Sequence, residues 1–210
     1  VVYISHPRVI TETSQQLLKV FCSNISVCLD NIAMVSTLHD YAYYDPALNI
    51  PNRLYFTQKI EEAINDGALQ SNVFLVDLDN CSAINDTMGS DKGDEILKQL
   101  ANRLSNAFPP PCCVARLSGD RFGILGERDI VNADAIKAVI NTSFDLGESD
   151  HSLAATQGFV CLSEASGKAE DAIKKANIAL KQAKEILRGD CIEFTREMAI
   201  KTEGRVRLLN

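Results

Sequence analysis

The sequence predicts an α+β domain of the ferredoxin-like kind, a central, mainly antiparallel sheet with flanking helices, preceded by one long separate helix. Three observations carry that prediction. Between about residues 72 and 194, segments with strand or helix periodicity follow one another as strand, helix, strand, strand, helix, strand. The two middle strands are joined by Ser118-Gly119-Asp120-Arg121, where a glycine supplies turn freedom and sets a carboxylate beyond the strand ends. Ahead of them all, Leu18, Phe21, Ile25, Cys28, Ile32 and Val35 alternate three and four apart, the spacing of a coiled-coil seam.

In chain order, Val1 to Ile10 alternates loosely, so residues 1–12 read as the tail of a preceding domain. Thr13 or Ser14 is a fitting N-cap for a helix over residues 13–44, with His39 continuing its seam; the plainer alternative is an amphipathic helix packed on its own domain. Asp45-Pro46 stops that helix. Arg53 to about Ala68 follows as a helix with Leu54, Phe56, Ile60 and Ile64 turned inward. Asn72 to Asp79 is the first strand, Asn80 to Asp86 a loop, and Ser90 to Phe108 a helix burying Ile96, Leu97, Leu100 and Leu104 before Pro109-Pro110-Pro111 ends it. After the hairpin, about Cys112 to Gly126, come a helix near Asn132 to Phe144, a strand near Leu153 to Leu162, a helix from Ala169 to Leu187 and a short strand, Cys191 to Phe194. Residues 45–195 thus make the main domain, and residues 196–210 begin an exit linker helix.

Composition narrows the chemistry. The 210 residues carry a net charge of -7, which argues against nucleic acid as a partner, because phosphate neutralisation needs a basic surface. The seven cysteines include no Cys-x-x-Cys pair, so zinc is disfavoured and buried thiols in a reducing cytoplasm are expected. No run of consecutive apolar residues approaches the roughly 20 of a membrane helix. Asp77 and Asp79, two apart in a strand, share one face, and with Asp120 they could gather carboxylate oxygens of the kind that suit Mg²⁺.

Ser118-Gly119-Asp120-Arg121-Phe122 resembles the Gly-Gly-Asp-Glu-Phe signature of GGDEF (diguanylate cyclase) domains, and four further motifs agree in order. Asp45-Pro46 with Ile50-Pro51-Asn52-Arg53 is similar to the family's opening. Val76-Asp77-Leu78-Asp79 with Ile84-Asn85-Asp86 resembles its first strand and loop, Gly93-Asp94 its next helix start, and Ala183-Lys184 with Arg188 its last helix. Family members usually have Gly where this chain has Asn49, a residue that tolerates positive φ. The resemblance implies the nucleotidyl cyclase palm, a variant of the ferredoxin-like arrangement. It also implies condensation of two GTP into cyclic di-GMP on two facing domains.

By that resemblance Asp77, the Leu78 carbonyl and Asp120 hold Mg²⁺ with GTP, Asp120 doubling as the catalytic base. The amides of Asn80 and Cys81 meet phosphate, as do Lys184 and Arg188 one helical turn apart, and Asn85 with Asp94 reads guanine. Two departures stand out: Arg121 occupies the signature's Glu position, and Ser82 that of a loop lysine that steadies the transition state. Unit charges about 5 Å apart at an effective dielectric near 20 interact by ~3 kcal/mol, so Arg121 must swing away or metal occupancy suffers. The family's product-inhibition motif aligns with Pro109 and Cys112 and is lost.

The expected function is a catalytically weak or inactive GGDEF domain that binds GTP and regulates an attached EAL domain. The chain would then be a cytoplasmic piece of a longer protein with an upstream sensor, paired as a homodimer through its N-terminal helix. An active diguanylate cyclase and a dimerisation module without nucleotide are the alternatives.

Overall fold

Strand β1 (Ser71–Leu78) is buried at all eight positions, as expected of a strand with neighbours on both edges and helices on both faces. It pairs antiparallel with β3 (Arg121–Glu127) on one side and with β6 (Ala155–Cys161) on the other. Outside β3 lies β2 (Cys113–Ser118), its hairpin partner, and outside β6 lies β7 (Cys191–Glu193), which pairs in parallel. The sheet therefore runs β2-β3-β1-β6-β7. This computed structural model describes residues 11–145, 150–151, 153–186 and 188–207. The expected strand over Val1 to Ile10 lies outside the described residues. The chain divides into two compact units, Val1–Ala42 and Tyr43–Asn210.

In the second unit, alternation along β1 sends Phe74, Val76 and Leu78 to one face and Val73 and Leu75 to the other. The first set packs on α4 (Ser90–Ala107) and α5 (Ala133–Ile140) through Ile96, Leu100, Leu104, Ile136 and Ile140. The second packs on α2 (Arg53–Asn65) and α6 (Ala169–Ile186) through Phe56, Ile60, Ala172, Ala176 and Leu180. Alanines along the inner face of α6 let it lie close to the sheet. At Gly158 of β6 the approach is closest: an added Cβ would sit 2.0 Å from the Leu180 amide nitrogen.

Most expected elements form, with three corrections. Asn80 to Asp86 is not a loop: α3 (Cys81–Met88) begins after Asn80, which takes the left-handed conformation at φ 63° and turns the chain from strand into helix. Leu54 does not face the core. It lies two positions, about 200°, from Phe56 and points to solvent, 56% exposed. The helix near residue 132 stops at Ile140, and Phe144 instead joins a small ribbon of β4 (Phe144–Asp145) with β5 (Asp150–His151). Asn49 does take the positive φ expected of it, 53°.

In the first unit, α1 (Glu12–Tyr43) is continuous and has no buried residue. The expected seam residues are exposed or half-buried, but so are Leu17, Val20, Val27, Leu29 and Met34 around the rest of the helix. Among the described residues, α1 is the helix long and apolar enough by length and composition to cross a membrane, and this corrects the sequence reading. That reading counted consecutive apolar residues, whereas the apolar character here is spread along the helix with few charges between. A further helix, α7 (Arg196–Arg207), follows β7 where the exit helix was expected.

Cysteine placement follows the fold. Cys22 and Cys28 are exposed, whereas burial pushes the Cys113 and Cys191 thiols up to about 12. The close approach of α6 gives a stability test: Gly158→Ala should lower the unfolding free energy by about 2–3 kcal/mol in urea denaturation, because backbone cannot yield as a flexible side chain does. A loss below about 0.5 kcal/mol would mean that helix and strand are further apart than described.

Candidate nucleotide site

Three structural devices converge at the C-terminal end of β1. The strand itself delivers Asp77 and, one residue past its end, Asp79. The β2–β3 hairpin turns at Gly119, φ 52°, and is stitched to β1 by the Leu78 amide donating to the Asp120 carbonyl at 3.3 Å. Helix α6 supplies Asn177 and Lys184, seven residues apart and so on one face.

Asp77 is buried, and both of its oxygens are ion-paired. Antiparallel register sets Arg121 directly across from it. The guanidinium donates to one oxygen through Nε at 3.2 Å and Nη2 at 3.1 Å, while Lys184 donates to the other. Arg121 also reaches Asn177 Oδ1 through Nη1 at 3.4 Å. A buried carboxylate is tolerated only when paired and hydrogen-bonded, and here both conditions hold. Arg121 has not swung away: it faces Asp77 across the ladder.

Asp79 is engaged separately. The Thr156 hydroxyl, fully buried on β6, donates toward its two oxygens at 2.8 and 3.0 Å and accepts from the Gly189 amide at 3.0 Å. Arg188 lies beyond the end of α6, not one turn along it from Lys184, and its Nε is 3.9 Å from Asp79. With Arg188 65% exposed, that long pair contributes little. The expected gathering of Asp77, Asp79 and Asp120 does not occur, and among the described residues no three acidic, histidine or cysteine groups cluster as a metal site. As arranged, the residues do not fit a resident Mg²⁺, because the ion would have to join two cations already on Asp77.

The other expected site residues sit on α3 and α4. Asn80 makes no side-chain cap, which leaves the first turn of α3, with Cys81 and Ser82, uncapped by it at the end of β1. Cys81 is buried, and burial, then the nearby Asp120 charge, raises its thiol above the usual range. Asn85 lies over Gly93: a Cβ there would meet Asn85 Oδ1 at 1.8 Å. Gly93 is thus what lets the amide settle on α4, one residue from exposed Asp94.

Sequence reasoning missed Thr156, Asn177 and Arg116. Arg116 bonds both Asp45 oxygens at 3.2 and 3.3 Å and the Gly119 carbonyl at 2.9 Å, holding the turn against the opening motif. The seven-residue spacing to Lys184 could have found Asn177; nothing local marks Thr156.

A sheet-and-helix palm with paired acids at a strand end and a glycine–acid hairpin beside them belongs to the nucleotidyl cyclase class. The family model for the diguanylate cyclase GGDEF domain matches residues 42–189, and the chain belongs to that family, a domain of cyclic di-GMP signalling proteins. A model of unknown function, DUF3369, matches residues 1–38. The signaling protein YkoW of Bacillus subtilis is 31% identical over 70% of this chain and 20% of its own length. The cyclic di-GMP phosphodiesterase NbdA of Pseudomonas aeruginosa is 23% identical over 82% and 23%. The chain therefore spans a quarter or less of these relatives. Among solved structures, the GGDEF domain of TpbB from P. aeruginosa superposes with a TM-score of 0.69 at 26% identity, covering 77% of this chain and 99% of that one. The coiled coil and GGDEF domain of DgcB from Caulobacter crescentus, in complex with c-di-GMP, gives 0.70 at 18% identity over 84% and 98%, which speaks to fold alone.

An ion-paired Asp77 and a bare metal ligand predict opposite effects on stability. Asp77→Asn should destabilise the protein by about 1–3 kcal/mol in urea titration, since Arg121 and Lys184 lose their counter-charge. A gain in stability would be the mark of an uncompensated metal carboxylate.

Proposed function

We propose that this GGDEF domain binds GTP, makes little or no cyclic di-GMP, and uses nucleotide occupancy to regulate an attached domain. One observation carries the reading: Asp77, in the position that resemblance assigns to metal, is neutralised by Arg121 and Lys184, while Asn85 is still cradled on Gly93 beside Asp94. Base recognition and phosphate activation are thereby separated. Catalysis needs groups aimed at charge that develops during transfer, and the Glu-to-Arg and Lys-to-Ser departures at Arg121 and Ser82 both work against it. The Mg²⁺ implied by resemblance does not fit here, because each Asp77 oxygen already faces a cation. Asp120 remains at the hairpin tip without a metal partner to act with.

In the parent protein, on this proposal, α1 links an upstream sensor to the domain and α7 leads to a downstream EAL domain, with the GGDEF domain itself on the cytoplasmic side. Calorimetry should show GTP binding that weakens about tenfold with Asp94→Ala, while chromatography of GTP incubations shows cyclic di-GMP near background. Arg121→Glu with Ser82→Lys should raise synthesis above that background. Equal affinity for ATP would sink the guanine assignment, and robust synthesis by the unaltered protein would establish the active cyclase instead.

The seam of α1, Leu18, Phe21, Ile25, Cys28, Ile32 and Val35, is proposed to pair two copies. Since Cys28 lies in the seam and Cys22 outside it, dimerisation should slow alkylation of Cys28 relative to Cys22 as protein concentration rises. A ratio independent of concentration, together with a monomer in light scattering, would refute the pairing.

A further inference from the structure

We propose that Arg121 and Lys184 replace the divalent cation, so that this domain binds the triphosphate of GTP without metal. The inference rests on the nucleotide reading above and deepens it.

The first argument is occupancy. The two oxygens of Asp77 face one cation each, Arg121 on one and Lys184 on the other; the carboxylate side chain is 6% exposed and each cation 32%. The acid is the sheltered partner, and the cations are the ones open to solvent. What this cluster presents to solvent is accordingly its pair of cations. A dication approaching Asp77 meets that positive charge before it meets the carboxylate, whereas a phosphate meets donors.

The second argument is capacity. A guanidinium carries five N–H groups and an ammonium three. Asp77 takes Nε and Nη2 of Arg121 and one donor of Lys184, and Asn177 accepts from Nη1 at 3.4 Å. Donors on Nη1, Nη2 and Lys184 Nζ remain over for phosphate oxygens, on side chains whose positions are fixed by Asp77. Preorganised cations of this sort cost less ordering on binding than free ones. The first turn of α3, which Asn80 does not cap with its side chain and which starts three residues after the end of β1, adds backbone donors near the same end of the sheet.

The third argument is charge. The family name spells Glu in the signature position where this chain has Arg121. Exchanging an anion for a cation adds two positive charges at this position, and the Lys-to-Ser departure at Ser82 removes one, so the site still ends one charge more positive. Part of the positive charge that an ion would bring from solution, the chain brings covalently.

The decisive experiment is calorimetric titration of the full chain with GTP in two buffers, one with Mg²⁺ and one with EDTA. The dissociation constants should agree within about threefold for the unaltered protein. Arg121→Glu should weaken binding in EDTA at least tenfold and recover most of it when Mg²⁺ is added. Arg121→Gln, which keeps the size and adds no anion beside Asp77, should weaken binding in EDTA without Mg²⁺ rescue; thermal melts confirm that both variants are folded. Binding by the unaltered protein only in Mg²⁺ would overturn this inference and leave the nucleotide reading in place. No GTP binding in either buffer would overturn both.

Discussion

A buried carboxylate at the end of the central strand sets the terms for everything around it. Asp77 cannot stay charged among apolar neighbours without partners, and the fold brings it two from different directions. One comes from register, because the β1–β3 pairing sets Arg121 opposite Asp77. The other comes from packing, because α6 lies on the sheet closely enough for Lys184 to reach in. That closeness depends on Gly158 and the alanines at 172, 176 and 179. A site property thus traces back to small residues far along the chain from the site itself.

The second acid shows how little spacing alone decides. Asp79 is two residues from Asp77, yet its oxygens turn to Thr156, which also holds the Gly189 amide. Its bonds therefore tie the end of β1 to the turn that follows α6. One strand end carries two acids with separate duties. Asp77 balances charge in the site, and Asp79 fastens the chain around it.

Much of the fold was legible because its signals are local. Strand and helix periodicities, the proline run after α4 and the glycine turn at the hairpin each act over a few residues. Positive φ at Asn49 was readable from residue chemistry, but the same conformation at Asn80 was passed over, and with it the start of α3. Leu54 is apolar like its neighbours but sits about 200° from Phe56 around α2, so its chemistry alone does not tell which way it faces. The site was harder, since its decisive contacts join distant segments. Arg121 was recognisable as a misfit, but that it would pair with Asp77 depends on register, and Thr156 is visible only once β6 is seen beside β1. Arg188 was expected on α6 and lies past its end, because a four-residue spacing says nothing of where a helix stops.

Base-reading and phosphate-binding roles, in the function proposed here, fall on different parts of the fold. Asn85, Gly93 and Asp94 belong to α3 and α4, which meet each other; Asp77, Arg121, Asn177 and Lys184 belong to β1, β3 and α6. Among the described residues no hydrogen bond or ion pair joins the two groups, so a change in one need not disturb the other. Energies at sites without shared partners are close to additive. An arginine could therefore enter the signature, meet an existing carboxylate and lysine, and alter the electrostatics of phosphate activation while the guanine side kept its geometry. Loss of synthesis without loss of binding is then the expected course for such a domain. Its binding free energy remains available to shift neighbouring domains between states that differ in affinity for the nucleotide.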